Sequence, residues 1–280
     1  MSLDLYRQKV TAQWEAEAAQ HNSFLLWEGT PGPAVMPFLL TGDAPKGTVI
    51  ICAGGGYFWK EPQEAFPHAI WLNIIGLNAF VLDYRIKPPH KQPDCALQDA
   101  QRAVRTLRHR ADEWKIKKDK IAVLGFSSGG HLAAMVSTHF DEGDPQASDP
   151  VERESCRPDA QILCYPHITY TPYSKDDPDF MNKFFGEGHT QDDVAKANVH
   201  LHVRPDTPRL LFGACKAIGS LSKSSGNTTP RRWMKKKFPI RITFSPREAI
   251  ARAGKKPPPF GNSGPCSVHY GLKDWAFNCK

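Results

Sequence analysis

Between Thr207 and Arg247 the chain contains no Asp or Glu at all. From Thr207 to Lys280, 15 Lys and Arg stand against two acids, Glu248 and Asp274, although the whole chain carries a net charge of only +7. The first 206 residues lean the other way, with 27 acids and 21 bases. Two compositions meet near Pro208, which is the mark of a domain boundary or a basic tail. No window approaches the ~18 uninterrupted apolar residues of a membrane span, so no membrane partner is expected. The first twenty residues, "MSLDLYRQKVTAQWEAEAAQ", carry charges where a secretion signal carries an apolar core. The seven cysteines form no CxxC pair, which argues against structural zinc and for a reduced, cytoplasmic chain without a metal. Neither GK[ST] nor GxGxxG is present, so no nucleotide cofactor is expected.

What is present alternates between strand and helix. "DLYRQKVTAQWEAEAAQ" has helical spacing and would cover one face of the fold. "AVMPFLL", "KGTVIIC", "NAFVLDYR", "KIAVLGFS" and "DAQILCYP" read as strands. Between them, "FPHAIWLNII" stops at Gly76, and "ALQDAQRAVRTLRHRADEW" sets apolar residues at 3–4 spacing with arginines on its other face. "SGGHLAAMVSTHF" is a further helix. Such alternation implies βαβ crossovers and a mostly parallel sheet with helices on both faces. "DEGDPQASDPVERES" is a polar loop, and "TYTPYSKDDPDFMNKFFGEGHTQDD" an excursion between sheet elements. After Pro208 only "RLLFGAC" has strand character, so the C-terminal strands and helix are expected to be incomplete or irregular.

Gly125-Phe126-Ser127-Ser128-Gly129 joins a strand to a small-residue helix, the context in which GxSxG forms a nucleophile elbow. The sharp turn lifts the Ser127 hydroxyl above the carboxyl edge of the sheet, and the helix N-terminus beneath it favours negative charge. The alternative is a purely structural turn. Ala53-Gly54-Gly55-Gly56-Tyr57 follows directly on the strand "TVIIC". A glycine loop at that place exposes backbone N–H groups to the oxyanion of a tetrahedral intermediate.

These stretches resemble the α/β-hydrolase superfamily, in particular small bacterial esterases related to acetyl-xylan esterases. The shared words are "GGGY" within Ala53–Tyr57, "DYR" at Asp83–Arg85, "DAQRA" at Asp99–Ala103, "GFS-GGHLA" within Gly125–Ala133 and "CYP" at Cys164–Pro166. The similarity runs from about residue 35 to 208, within a single domain spanning 1–280 whose residues 209–280 form an aberrant basic tail. It implies Ser127 as nucleophile and Gly54, Gly55 and Ser128 as oxyanion donors. It also implies hydrolysis of short acyl esters, acetyl esters of carbohydrates such as acetylated xylan, without a cofactor. A serine peptidase of the same superfamily and a non-catalytic scaffold are the alternatives. Nucleic-acid binding by the tail is a distant one, since no module or basic helical stripe is visible there.

The resemblance also implies an acid and then a histidine after the last matched strand. The sequence breaks this order: no carboxylate stands between Asp206 and Glu248, and His269 is the sole histidine after His202. His269 with Asp206 or Asp274 remains as a weak base–acid candidate. His131, on the elbow helix, is expected to cap or pack rather than to act as base. A change of reading frame near Pro208 would account for both the charge break and the missing residues. Read with the third base of each codon joined to the first two of the next, the stretch Thr243–Ile250 can encode H-V-F-P-E-G-G-H, a strand ending in a glycine–histidine loop. The chain as it stands is therefore expected to be impaired.

Overall fold

The computed structural model describes residues 2–27, 32–86, 94–166, 168, 170 and 180–213. Helix α1 (Leu3–Ala18) starts on a Ser2 cap and buries Val10 and Trp14. Strands β1 (Phe24–Leu25), β2 (Ala34–Phe38), β3 (Lys46–Cys52) and β4 (Asn78–Asp83) follow, with helix α2 (Pro62–Ile74) between the last two. Proline at the first position and Glu64 in the first turn suit the start of α2. Helix α3 (Asp94–His109), strand β5 (Ile116–Phe126), helix α4 (Ser127–Thr138) and strand β6 (Ala160–Cys164) complete the central βαβ units. The expected excursion contains two short helices, α5 (Phe180–Phe185) and α6 (Gln191–Ala197), and strand β7 (Arg209–Gly213) continues the sheet beyond Pro208.

The seven strands lie in the order β1-β2-β4-β3-β5-β6-β7. The pairs β1–β2 and β2–β4 are antiparallel, and every other pair is parallel. The continuous apolar runs of β3 and β4 follow from burial on both faces. Ile50, Val123 and Leu163 pack with α3 and α4 on one face, while Ile51, Leu124 and Ile162 join Trp14, Phe66 and Leu72 of α1 and α2 on the other. The fold class anticipated from the alternating pattern is therefore present, and α1 does cover one face, with the Trp14 ring 5.2 Å from that of Phe66.

Helix α3 adds a feature that its pattern does not show. Two of the arginines placed on its other face are buried, Arg102 and Arg105 being 8% and 7% exposed. The loop after α4 folds over them. Arg105 pairs with both oxygens of Asp141 at 2.8 Å, and Arg102 reaches Glu152 at 2.7 Å and Asp149 at 2.6 Å. The acids of that polar loop are thus the counter-ions of α3.

Register places the site. Cys52 of β3 lies beside Gly125 of β5, and Phe126 is in register with Cys164, which is in register with Gly213 of β7. The carboxyl ends of four parallel strands therefore meet at one edge, where ligands bind in open α/β sheets. Among the described residues no helix is long and apolar enough to cross a membrane.

Candidate active site

Ser127 is the first residue of α4 and has φ +50°. A non-glycine residue in the left-handed region costs about 1–2 kcal/mol and persists where packing imposes it. Two glycines permit that packing. A Cβ on Gly125 would overlap the carbonyl of Gly129, and one on Gly129 would overlap the carbonyls of Cys52 and Ala53. Helix α4 therefore sits directly against β3 and β5. Phe126 provides no side-chain cap, so the first N–H groups of α4, Ser128 included, lie at an open, electropositive helix end. The Ser128 side chain is buried.

The glycine loop after β3 is pinned from three sides. The Tyr84 hydroxyl donates to the Ala53 carbonyl at 2.6 Å. The Gly54 carbonyl accepts from the Glu61 N–H at 3.0 Å. The Gly54 N–H donates to Glu64 Oε2 at 2.7 Å. Gly54, expected as an oxyanion donor, is thus corrected: its N–H points at a carboxylate of α2. Because a trans peptide holds its C=O and N–H antiparallel, the bond from Glu61 to the Gly54 carbonyl aims the Gly55 N–H the opposite way.

Glu64 was not singled out in the sequence. Burial is the leading influence on its carboxyl and raises its pKa, opposed by the bonds from Tyr165 and Gly54. Tyr165, directly after β6, donates to Glu64 Oε1 at 2.6 Å and holds φ +36°.

His131 is fully buried, with Nε2 2.8 Å from the Ala197 carbonyl and Nδ1 2.8 Å from the Tyr57 hydroxyl. A carbonyl can only accept, so Nε2 carries the ring proton and Nδ1 accepts from Tyr57. His131 packs, as anticipated. The rings of His139 and His202 lie 4.5 Å apart at a tilt of 53°, and His68 lies 4.5 Å from the Phe126 ring. Asp206 pairs with Arg204 at 3.0 Å in the turn before β7. It sits at the amino edge of a strand parallel to β5, whereas Ser127 is at the carboxyl edge, so Asp206 is corrected as an acid candidate. His269 and Asp274 lie outside the described residues.

The resemblance words turn out to be contacts. Arg85 of "DYR" forms a two-nitrogen pair with Asp99 of "DAQRA", at 2.6 and 2.9 Å. Asp83 of the same word pairs with Lys60. Tyr57 of the glycine loop meets His131 of the elbow helix, and a Cβ on Gly130 would stand 3.0 Å from Pro166 of "CYP". A cavity of about 440 Å³ lies between α1 and the end of β4, lined by Trp14, Lys60, Asp83, Tyr84 and Arg85 among others; neither the glycine loop nor Ser127 lines it.

This sheet order, with an elbow serine after β5 and a glycine loop after β3, defines an α/β hydrolase fold. The model of the BD-FAE family matches residues 40–211, more than half of the chain, and the chain belongs to that family. It is 37% identical to a bifunctional acetyl ester-xyloside hydrolase from Caldicellulosiruptor lactoaceticus, with a TM-score of 0.63, covering 69% of this chain and 73% of that one. A thermophilic esterase from Thermogutta terrifontis, 20% identical with a TM-score of 0.59 over 87% of this chain and 83% of that one, shares the fold. An acetylxylan esterase of Xylanibacter ruminicola is 32% identical over 55% of this chain and 29% of its own length. Endo-1,4-beta-xylanase B of Butyrivibrio fibrisolvens is also 32% identical, over 63% of this chain and 28% of its own. The chain thus spans less than a third of the length of these curated relatives.

Proposed function

We propose that the site is built for serine-dependent hydrolysis of short carboxylic esters, with acetyl groups on carbohydrates as the substrate class. The observation that carries this reading is Ser127 at φ +50°, on the turn between β5 and α4, with its Cβ 3.0 Å from where a Cβ on Gly54 of the glycine loop would stand. Ser127 Oγ attacks the acyl carbon, and the carbonyl oxygen becomes an oxyanion held by the N–H groups of Gly55 and Ser128. Collapse expels the alcohol and leaves an acyl-serine, which water then cleaves to the acid. Acetylxylan and acetyl-xyloside relatives support the substrate class. The free thiols of Cys52, Cys95, Cys156 and Cys164 fit a reduced, cytoplasmic setting.

The acid and histidine that would activate Ser127 have no counterpart at their expected places in the sequence. Gly213, at the carboxyl end of β7, is in register through Cys164 with Phe126, so an acid soon after it would stand near the elbow. The sequence after Gly213 offers no carboxylate before Glu248. The family match stops at residue 211, next to the charge break. We therefore attribute residues beyond about 208 to a shifted reading frame and expect this polypeptide to hydrolyse p-nitrophenyl acetate weakly or not at all. The frame-restored chain should turn over, label at Ser127 with a fluorophosphonate, and lose both properties in Ser127→Ala. Robust burst-phase hydrolysis by the chain as it stands would reject the impairment and make His269 with Asp274 the first pair to test. An unlabelled Ser127 in an active restored chain would reject the nucleophile.

A further inference from the structure

Glu64 occupies a place that the proposed mechanism leaves unexplained. It is a carboxylate in the first turn of α2, on none of the strands that carry the site, yet its two oxygens bind two different parts of it. Oε2 accepts from the Gly54 N–H at 2.7 Å, and Oε1 accepts from the Tyr165 hydroxyl at 2.6 Å. The point where a Gly54 Cβ would stand is 2.6 Å from Glu64 Oε2, 2.7 Å from the Phe126 carbonyl and 3.0 Å from Ser127 Cβ. The carboxyl, the loop and the elbow therefore press on one another with no room for a methyl group. The same helix end supplies the Glu61 N–H to the Gly54 carbonyl. Both polar groups of Gly54 are thus held by α2, and the loop has no backbone ladder of its own to hold it.

From this geometry we infer that Glu64 is the positioning residue of the oxyanion loop, joining the glycine loop after β3 to the end of β6 so that the Gly55 N–H faces the acyl oxygen at Ser127. The inference rests on the esterase reading of the site. Two features fit a tether better than a packing role. A carboxylate in the first turn of a helix is favoured by the helix dipole, so the group is held in place electrostatically as well as sterically. The partner it recruits, Tyr165, is itself held at φ +36°, a backbone conformation that costs free energy and is sustained by its contacts. A misplacement of about 1 Å in a reacting group can cost a hundredfold in rate, so a loop held by a few hydrogen bonds is sensitive to the loss of one that bears on Gly54.

The test uses the full chain with assigned amide resonances and compares Glu64→Ala, Glu64→Gln and Tyr165→Phe. An N–H bonded to a carboxylate resonates downfield, so Glu64→Ala should move the Gly54 amide proton upfield and broaden Gly55. Glu64→Gln, which keeps an acceptor oxygen, should leave Gly55 sharp. In the frame-restored chain, turnover of p-nitrophenyl acetate in Glu64→Ala should fall about a hundredfold in kcat with KM within about threefold, and Glu64→Gln should restore most of it. If Glu64→Ala does not fold, Tyr165→Phe reads the same tether through a Gly54 shift and a smaller loss of kcat. An unmoved Gly54 resonance, an unchanged kcat, or a Glu64→Gln as poor as Glu64→Ala overturns the inference. Absence of turnover in the chain as it stands is the impairment expected above; absence of turnover in the frame-restored chain counts against the esterase reading alone, and in either case the amide resonances decide the role of Glu64.

Discussion

At the scale of single residues, the site depends on atoms that are absent as much as on those present. Gly129 approaches the carbonyls of Cys52 and Ala53 closely enough that Gly129→Ala must push helix from strand. Overpacking of this kind costs about 1–3 kcal/mol, so urea unfolding should shift by that amount and any turnover should fall with it. His68 gives a second residue-scale prediction. Burial lowers its pKa from 6.5 to about 4. Above pH 6.5 the ring is neutral in folded and unfolded chains alike. From 6.5 down to about 4, the unfolded chain binds a proton that the folded chain refuses. Stability must therefore fall as pH falls across that window, with a slope of up to about 1.4 kcal/mol per pH unit from this group. His139, also lowered to about 4, adds in the same direction. Urea midpoints measured from pH 7 to pH 4.5 should decline, and His68→Gln should flatten part of that decline.

At the scale of elements, the structure explains why certain short words travel together. "DYR" ends β4 and "DAQRA" lies in α3, and Arg85 with Asp99 makes them one ion pair around a carboxylate with no exposed side-chain surface. Removing the cation leaves that carboxylate buried and unpaired. Arg85→Ala should cost about 3–5 kcal/mol, and Arg85→Lys should recover only part, because an ammonium cannot supply the two-nitrogen fork. Urea titration of both variants checks the order. Helix α3 shows the limit of pattern reading. Its spacing identified a helix with one apolar face, yet Arg102 and Arg105 are as buried as many core residues, roofed by Asp141, Asp149 and Glu152. A helical wheel marks these arginines as polar; it does not show that a loop some forty residues later folds over them. Glu64 escaped notice for the same reason. It is one acid in an ordinary first turn, and its meaning comes from Gly54 and Tyr165, which lie 10 and 101 positions away.

At the scale of the whole molecule, the two compositions meet where the family match ends. Among the described residues, acids and bases pair across the fold, as Arg85 does with Asp99 and Arg105 with Asp141, while the 41 residues from Thr207 to Arg247 contain no acid of their own. The coding DNA checks the frame reading directly: a sequence around Pro208 that cannot encode a carboxylate and the glycine–histidine loop in the alternative frame would reject it. What the sequence determined by itself is local and periodic. Alternating β-branched runs and amphipathic stretches specified strands, helices and a parallel sheet, and GxSxG between a strand and a helix specified the elbow, because backbone sterics act between neighbours in the chain. The break in the triad order was equally legible, since it is a matter of which residue types occur where. What only the tertiary structure decided is which partner each polar group takes. It set His131 on Tyr57 and Ala197, moved Asp206 to the wrong edge of the sheet, and gave the Gly54 N–H to Glu64. Those pairings join residues distant in sequence, and a buried polar group must find its partner in space, so packing of the whole chain selects among the partners that local sequence leaves open.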